Sequence, residues 1–412
     1  MQSHSCDHPL STWRCAAAIV LSFVVVCTSV AAEEETRAGK LAKKKAEKTT
    51  ALAPYKPNKV EDLVIKIQKW GLVTGVGKGF YPIAFGSAFP GGGSSFGAGY
   101  RRLFADTGAF DIHGAITIVN YKILQTTLHL PLVAQDRLKS TVQLKYQDAT
   151  EVAFFGIGNA GSEADEANYA YTPKSVRLSE SLEVSKYIDV GGEISYEDYE
   201  TAEGESGRVP SIEELFTENE VPGLDLDSRY IVGSVFAQFD WRHSPGYTTS
   251  GGSYRVDWSN YSQQEGDGFN FKRLDVELLQ HIPILRANQV LSFGGLASFT
   301  DVEEGQQVPY YLLPKLGGGK ELRGFSDFRF MDRHRMLLIA EYRWLPSKFM
   351  DMAIFYEVGK VAPETSDLNF EDLHESYGIG VRFHTPYATA LRIELARSKE
   401  ATRIIFSGGP SF

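Results

Sequence analysis

The chain has 412 residues, of which 43% are hydrophobic and 23% are charged, and its formal net charge is −10. This acidic balance argues against a nucleic-acid partner, because binding to a phosphate backbone needs an excess of Lys and Arg. No stretch holds 18 uninterrupted apolar residues, so the sequence predicts no transmembrane helix.

The N-terminus has the pattern of a secretory signal peptide. Arg14 precedes an apolar run over residues 16–27, and small residues follow at Ser29, Ala31 and Ala32. The run is too short to span a bilayer comfortably, so we expect a leader that is cleaved near Ala31 or Ala32. A lipoprotein signal ending at Cys27 is the weaker alternative, because Val26 is larger than the residue expected before such a cysteine. All three cysteines lie in this leader, so neither disulfides nor thiolate chemistry is expected in the mature chain.

Residues 33–79 are predicted to form a periplasmic segment between the leader, residues 1–32, and the strand-rich part of the chain. The segment is polar and Lys-rich up to Asn58, a composition typical of a flexible, solvated linker. A short amphipathic helix is expected next, because apolar residues recur at helical spacing at Val60, Leu63, Val64, Ile67 and Trp70.

Residues 80–412 predict sixteen amphipathic strands. Over residues 350–359, for example, every even-numbered side chain is apolar or aromatic, which is the period of a strand between lipid and water. The predicted strands are 80–88, 95–105, 109–119, 122–133, 137–148, 173–188, 190–201, 229–242, 252–263, 269–284, 288–301, 336–345, 349–362, 375–385, 388–398 and 402–411.

The predicted connections alternate in length. Short turns are expected at 106–108, 134–136, 189 and 346–348, and long loops at 149–172, 202–228 and 302–335. With both barrel ends in the periplasm, the long loops fall on the outer side, as in bacterial outer-membrane barrels. The predicted fold is therefore all-β, a transmembrane antiparallel β-barrel of about sixteen strands. A soluble β-sandwich or propeller is the alternative, but it gives no reason for the signal peptide and the loop asymmetry to coincide.

Three motifs occur in order along the second half of the chain: LRGF at 322–325, FYEVG at 355–359 and SYGIGVRFHTP at 376–386. Together they resemble the bacterial surface-antigen superfamily of outer-membrane assembly and translocation barrels, the BamA- and TamA-like proteins. The resemblance implies an outer-membrane location and a role in inserting or translocating proteins or lipids. Outer-membrane lipids and client proteins would be the partners. Residues 33–79 are too few for one of the family's POTRA modules, so a barrel-only branch is expected.

The resemblance also implies a role for Arg323. In relatives the sixth extracellular loop folds into the lumen, and its arginine meets an acidic residue on an inward-facing strand position. The matching acid here is Glu357, where an Asp is more usual, and the strand alternation places Glu357 on the lumen face. Arg323, Gly324, Phe325 and Glu357 are therefore expected to latch the loop inside the lumen, against the alternative of a solvated arginine.

Further charged residues are predicted on the lumen face, and their mixed signs are expected for a hydrogen-bonded interior or a plugged channel and do not define ion selectivity. They are Glu341, Arg343, Asp351, Arg382, Arg392 and Glu394.

Phe412 is expected to act as a C-terminal strand signal. Pro82 near one end and the Ser-Gly-Gly-Pro run at 407–410 near the other predict a weak seam between first and last strands, unless they are ordinary strand ends.

Other functions have less support in the sequence. A passive pore or a structural barrel is the main alternative, and an outer-membrane enzyme is the third. No Ser, His and acid set aligns on an outward face, and no paired His or Cys suggests a metal, so we expect no catalytic site, cofactor or metal. Residues 156–161 match G-x-G-x-x-G, but the acidic residues that follow predict a surface loop instead of a dinucleotide site.

Overall fold

A computed structural model of the chain describes residues 78–84, 89–134, 136–224, 226–284, 288–347, 349–384 and 389–409. They all lie in one compact unit, Glu61–Phe412. The predicted signal peptide, Lys-rich linker, amphipathic helix and Phe412 fall outside the described residues and stay predictions.

Within the described residues, sixteen strands form one antiparallel sheet in which each strand pairs with the next one along the chain. The sheet strands are β1 (Gly79–Ala84), β2 (Ser95–Phe104), β3 (Gly108–Thr117), β4 (Lys122–His129), β5 (Leu138–Phe154), β6 (Ala167–Ser185), β7 (Ile188–Glu203), β8 (Ser228–Asp240), β9 (Gly251–Gln263), β10 (Phe271–Ile284), β11 (Gln289–Val302), β14 (His334–Trp344), β15 (Met350–Ala362), β16 (His374–His384), β17 (Thr389–Arg397) and β18 (Thr402–Ser407). The predicted barrel fold is confirmed.

The remaining elements are short and lie in the connections between sheet strands. Strands β12 (Lys315–Leu316) and β13 (Phe330–Met331) pair with each other between β11 and β14. One helical turn, α1 (Ile212–Leu215), lies between β7 and β8, and single 3-10 turns occur at Glu163–Asp165, Tyr310–Leu312 and Thr365–Asp367. Among the described residues, no helix has the length and apolar character needed to cross a membrane.

The alternation along each strand separates an apolar outer face from a buried inner face. On β15, the side chains of Met352 and Ile354 are exposed, whereas those of Ala353 and Phe355 are buried. The same pattern continues on β16, where the exposed Ile379 is paired with Ile354. A continuous exposed apolar face on a sheet is stable in lipid, where all ladder hydrogen bonds are satisfied within the sheet.

The predicted loop 149–172 is wrong in extent, because most of it is strand. Strand β5 continues to Phe154 and β6 begins at Ala167. The added inward side chains are held by aromatic packing: the rings of Phe154 and Tyr169 lie 5.7 and 4.9 Å from that of Tyr310. Packing inside the lumen extends these strands beyond the region in which lipid-facing alternation can be read from sequence.

The turn predicted at Asp189 is also misplaced. Ser185 pairs with Ile188, which leaves residues 186–187 as the turn, and Asp189 already pairs with Glu183. Strands β6 and β7 are therefore joined by a two-residue hairpin connection, the length most common between antiparallel strands.

Residues 303–333, called the lumen loop below, connect β11 to β14 and fold between the walls of the barrel. One part of the loop packs among buried apolar and aromatic residues of β5–β10 and includes Tyr310, Tyr311 and Leu313. The other part packs against β14 and β15 through Leu322 and Phe325. The loop therefore contributes much of the apolar interior.

We predict that Leu144→Arg destabilises the folded barrel by about 2–4 kcal/mol if its position is near the bilayer midplane, because a charge on the lipid face must be desolvated. Leu144 on β5 and Leu215 in α1 are both 48% exposed, so Leu215→Arg is a matched control. Equilibrium unfolding in lipid vesicles measures the difference. An equal cost at both positions would contradict a lipid-facing β5.

Candidate functional site

The lumen wall formed by β14–β17 carries charged side chains at alternate positions. Residues with even separation on a strand share one face. The register places Asp351 beside Arg382, and Arg382 beside Arg392. Glu357 lies beside Ser376 in the same ladder. All of these side chains are buried, so the wall presents a cluster of charges to the interior instead of to solvent.

The structure places Arg323 of the lumen loop at the centre of this cluster. Its Nε donates to Glu357 Oε1 at 2.8 Å, and its backbone N–H donates to Glu357 Oε2 at 2.7 Å. Its Nη1 donates to Glu394 Oε1 at 2.9 Å and lies 3.8 Å from Glu341 Oε2. The guanidinium also lies 3.5 Å from the centroid of the Phe355 ring. Arg323 is 0% exposed, so its charge is balanced by these carboxylates and not by water.

Gly324 and Phe325 fix the backbone on either side of that contact. The Gly324 N–H donates to Ser376 Oγ at 2.7 Å, and its carbonyl accepts from Ser398 Oγ at 2.9 Å. A Cβ at Gly324 would lie 2.7 Å from the backbone of Arg397, so the approach requires a glycine. Phe325 is fully buried, with its ring 5.2 Å from that of Phe330.

A second set of ion pairs continues from Arg323 along the wall. Arg382 donates to both oxygens of Glu341, at 2.6 Å for Nη1–Oε1, and from Nη2 to Glu394 Oε1 at 3.0 Å. Asp351 accepts from Arg343, at 2.6 Å for Nη2–Oδ2. Such multiply hydrogen-bonded contacts are the geometry in which a desolvated Arg–carboxylate pair is favourable.

Arg392 completes the network on the side of β18. Its Nη2 donates to the carbonyl of Gly319 in the lumen loop at 3.0 Å, and its Nε donates to Ser407 Oγ at 2.9 Å. Its Nε also lies 3.4 Å from Glu394 Oε2. Within the described residues, the network thus has four arginines (323, 343, 382 and 392) and four acids (341, 351, 357 and 394), which balance to zero net charge.

One end of the network reaches the turn between β8 and β9. Arg343 Nη1 donates to the carbonyl of Thr248 at 2.7 Å, and the Tyr247 ring lies 3.8 Å from the ring of His384. The Thr389 N–H donates to the carbonyl of Gly246 at 2.9 Å. A chain of buried polar contacts therefore runs from the lumen loop to this turn.

Titratable groups of the lumen loop itself respond to burial. Burial, with a contribution from Arg273, lowers the pKa of Lys315 to about 7. The Lys315 ammonium donates to the Tyr311 carbonyl at 3.0 Å. Burial also raises the pKa of Asp327, although the nearby Arg403 charge opposes that shift. Both shifts follow from the loop lying inside the barrel.

Sequence reasoning named the charged partners but missed several neutral ones. Ser376 and Ser398 bind the backbone of Gly324, and Phe355 lies against the Arg323 guanidinium. The alternation of side chains along β16 could have identified Ser376, since Ser376 is paired with Glu357.

Residues 156–161 were expected in a surface loop, yet the Gly161 carbonyl accepts from Arg329 Nη2 at 2.6 Å, so this loop is docked on the lumen loop.

The arrangement is suited to holding a segment in place. In the described ranges, no three His, Cys, Asp or Glu side chains are placed to hold a metal ion together. The acids of the network are engaged by arginines, and the arginines by acids. The physical effect of such a network is to fix the lumen loop against β14–β17.

Comparisons with known proteins agree with this geometry. Residues 70–412 match the Omp85 superfamily domain. The fold is similar to that of BamA from Haemophilus ducreyi lacking POTRA domains 1–3, with 16% identity and a TM-score of 0.57 over 80% of this chain and 69% of that chain. It is also similar to CdiB from Escherichia coli, with 9% identity and a TM-score of 0.53 over 80% of this chain and 61% of that chain.

The family match confirms the BamA-like membership that the three motifs predicted, and it places the protein in the bacterial outer membrane. Among the curated proteins, none matches this chain. The structural likenesses, at these identities, establish the fold and leave the finer role to be argued from the site.

We predict that Arg323→Gln and Glu357→Gln each destabilise the barrel by about 3–5 kcal/mol, because each strands a buried charge. The loss of unfolding free energy in the double variant should be smaller than the sum of the losses in the two single variants, since the two side chains interact directly. Equilibrium unfolding in lipid vesicles gives all three values.

Arg333→Gln is the control for this cycle. Arg333 lies in the same loop and pairs with Glu364, but both side chains are partly exposed, so its loss should cost under about 1 kcal/mol. Equal costs for Arg323→Gln and Arg333→Gln would show that Arg323 is not buried in an ion-paired site.

Proposed function

The chain belongs to the Omp85 superfamily, and on that premise we propose that it inserts or translocates proteins or lipids at the outer membrane by opening sideways between β1 and β18. The observation that carries the proposal is that β18, the last strand in the sheet order, is short. It has six residues, whereas β5, β6 and β7 have 17, 19 and 16.

The edges of these two strands are poorly suited to pairing with each other. Among the register pairs of the described residues, none joins β1 to β18. Pro82 in β1 has no N–H to donate, and the chain after Ser407 continues as Gly-Gly-Pro. Few hydrogen bonds would therefore have to break for the two edges to separate.

A separated edge offers a template for an incoming strand. Unpaired backbone N–H and C=O groups along a strand bind an added strand through main-chain hydrogen bonds. The side chains of Phe80, Ile404 and Phe406 are exposed on the outer face of β1 and β18. A client strand that paired there would have its own apolar face directed at lipid.

The buried ion pairs support opening at this seam and not elsewhere in the nearby wall. Glu341 on β14, Arg382 on β16 and Glu394 on β17 are linked by direct hydrogen bonds, and Asp351 on β15 is bound by Arg343 on β14. These contacts cross several ladders in addition to the backbone bonds. Strands β14–β17 are thus joined by side-chain ion pairs as well as by backbone hydrogen bonds. The seam between β1 and β18 is therefore the place where the sheet separates most easily.

A passive pore or a structural barrel has less support. Tyr310, Tyr311 and Leu313 of the lumen loop are buried in the interior. A loop packed in this way supports a plugged lumen that would have to rearrange before it conducts.

We predict that covalently closing the seam abolishes activity. Residues 28–412 contain no cysteine, so Pro82→Cys with Ile404→Cys can be joined by a thiol crosslinker without competing thiols in that range. The probe is a urea-unfolded eight-stranded outer-membrane barrel, and its rate of folding into vesicles that contain the protein is measured. Crosslinking should reduce the rate to that of empty vesicles, and reductive cleavage of the linker should restore it.

Ile354→Cys with Ile379→Cys is the matched control. These residues are paired on β15 and β16 and are both exposed outward. A crosslink between them joins two strands that are not expected to separate. Unchanged acceleration with the seam crosslinked would exclude lateral opening as the mechanism.

A further inference from the structure

We propose that residues 326–329 of the lumen loop form a clasp that holds the seam closed, joining the β1–β2 connection to β18 at the outer end of the barrel. The inference rests on the proposed function in one respect, that the seam between β1 and β18 is where the barrel opens. The clasp residues lie immediately after the Arg323 site, share with it a contact to the β17–β18 turn, and in addition contact β18 and the β1–β2 connection.

On one side, the clasp binds β18 through Arg403. The Arg403 Nη1 donates to Ser326 Oγ at 2.9 Å, and its Nη2 lies 3.6 Å from Asp327 Oδ2. Arg403 is paired with the buried Ala396, which places it on the lumen face. The loop backbone also packs on β18, because a Cβ at Gly319 would lie 3.5 Å from Ile405 Cγ2.

On the other side, the same residues bind the connection that follows β1. The Asp327 carboxylate accepts a hydrogen bond from the backbone N–H of Gly91. The neighbouring Phe328 ring packs edge-on against the ring of Phe89, with 6.0 Å between centroids. Asp327 therefore has contacts on both sides of the seam.

The local backbone is shaped around the Asp327 carboxylate. Gly318 has a φ of +116°, and a Cβ there would lie 2.3 Å from Asp327 Oδ1. The Gly319 N–H also donates to the carboxylate. Phe328 has a φ of 60°, a left-handed conformation that an aromatic residue keeps when its surroundings determine it. These features are expected of a carboxylate held in a fixed position.

Arg329 anchors the clasp at the end of β17. Its Nε and Nη2 donate to the two carboxylate oxygens of Glu400, both at 2.9 Å. Glu400 lies in the turn between β17 and β18. A bidentate pair of this kind fixes orientation as well as distance. The clasp is thus held to the β18 side by Arg329 and Arg403, and it reaches the β1 side through Asp327 and Phe328.

The clasp gives the Arg323 latch a means of acting on the seam. Arg323 fixes the lumen loop to β15 and β17, and Asp327 follows four residues later on the same short segment. Separation of β1 from β18 requires the contacts of Asp327 on one side to break. Movement of the loop would release both sides together. Asp327 is in this sense a positioning residue for seam opening.

The test compares Asp327→Asn with Asp332→Asn in lipid nanodiscs. Spin labels at Pro82 and Ile404 report the distance across the seam, and the fraction of molecules with a long distance is the readout. We expect Asp327→Asn to increase that fraction about fivefold, the scale of a partly exposed ion pair. Asp332 lies in the same loop and accepts from the backbone N–H of Arg333 at 2.7 Å, so Asp332→Asn should leave the fraction unchanged.

A second set of variants separates the clasp from a general loss of stability. Arg403→Gln should open the seam as Asp327→Asn does, and the double variant should open it no further than the stronger single one. Additive effects, or equal opening by Asp332→Asn, would overturn the clasp. So would an unchanged long-distance fraction in Asp327→Asn.

The same variants distinguish this inference from the proposed function. If Asp327→Asn opens the seam and accelerates folding of the unfolded probe barrel into vesicles, both hold. If the seam opens but folding of the probe is not accelerated, the clasp holds and lateral opening as the mechanism of insertion fails. If the seam distance does not change, the clasp fails whatever happens to insertion.

Discussion

The structure depends on a single physical constraint, that a buried arginine must be matched by carboxylates. Arg323 has no exposed surface and binds Glu357 and Glu394 directly. An unpaired charge in this position would be strongly unfavourable, so the lumen loop is stable inside the barrel when the acids of β15 and β17 are present and correctly oriented. The Gly324 contacts, the buried Phe325 and the balanced network along β14–β17 all follow from placing that guanidinium there.

The wall formed by β14–β17 is held together by buried ion pairs, whereas the strand at its edge, β18, is short. Its inner face is joined by ion pairs that cross β14–β17, while its outer face is apolar and its last neighbour, β18, has six residues. Backbone pairing is similar in kind throughout the sheet, so the difference lies in side chains and strand length. A barrel built in this way separates most easily where the lumen network ends. The lumen loop reaches this boundary through Asp327, which connects the interior of the barrel to its seam.

Much of the fold could be predicted from sequence, because a strand between lipid and water alternates apolar and polar side chains with a period of two. That period identified the sixteen strand positions and placed Glu357 on the lumen face. It failed for β5 and β6 beyond residue 148, where inward packing on Tyr310 replaces lipid contact as the reason for strand structure.

The site was less accessible to sequence reasoning. The pairing of Arg323 with Glu357 was implied by the family resemblance, but the bond of Arg323 to Glu394 depends on the register of β16 and β17 and on the path of the loop. Asp327 carries no motif, and its contacts come from Gly91, more than two hundred positions away, from Arg403 on β18 and from Gly319 earlier in the same loop. The pattern of residue types along one strand or loop does not show which distant residues come together in the folded chain.

The most direct test of this account is the distance between the Arg323 guanidinium and the Glu357 carboxylate in lipid bilayers. Solid-state NMR with ¹⁵N-labelled arginine and ¹³C-labelled glutamate measures it through their dipolar coupling, with Glu357→Gln to assign the signal. We expect a rigid, strongly coupled pair, consistent with the 2.8 Å contact between Arg323 Nε and Glu357 Oε1. A mobile guanidinium without coupling to that carboxylate would contradict it.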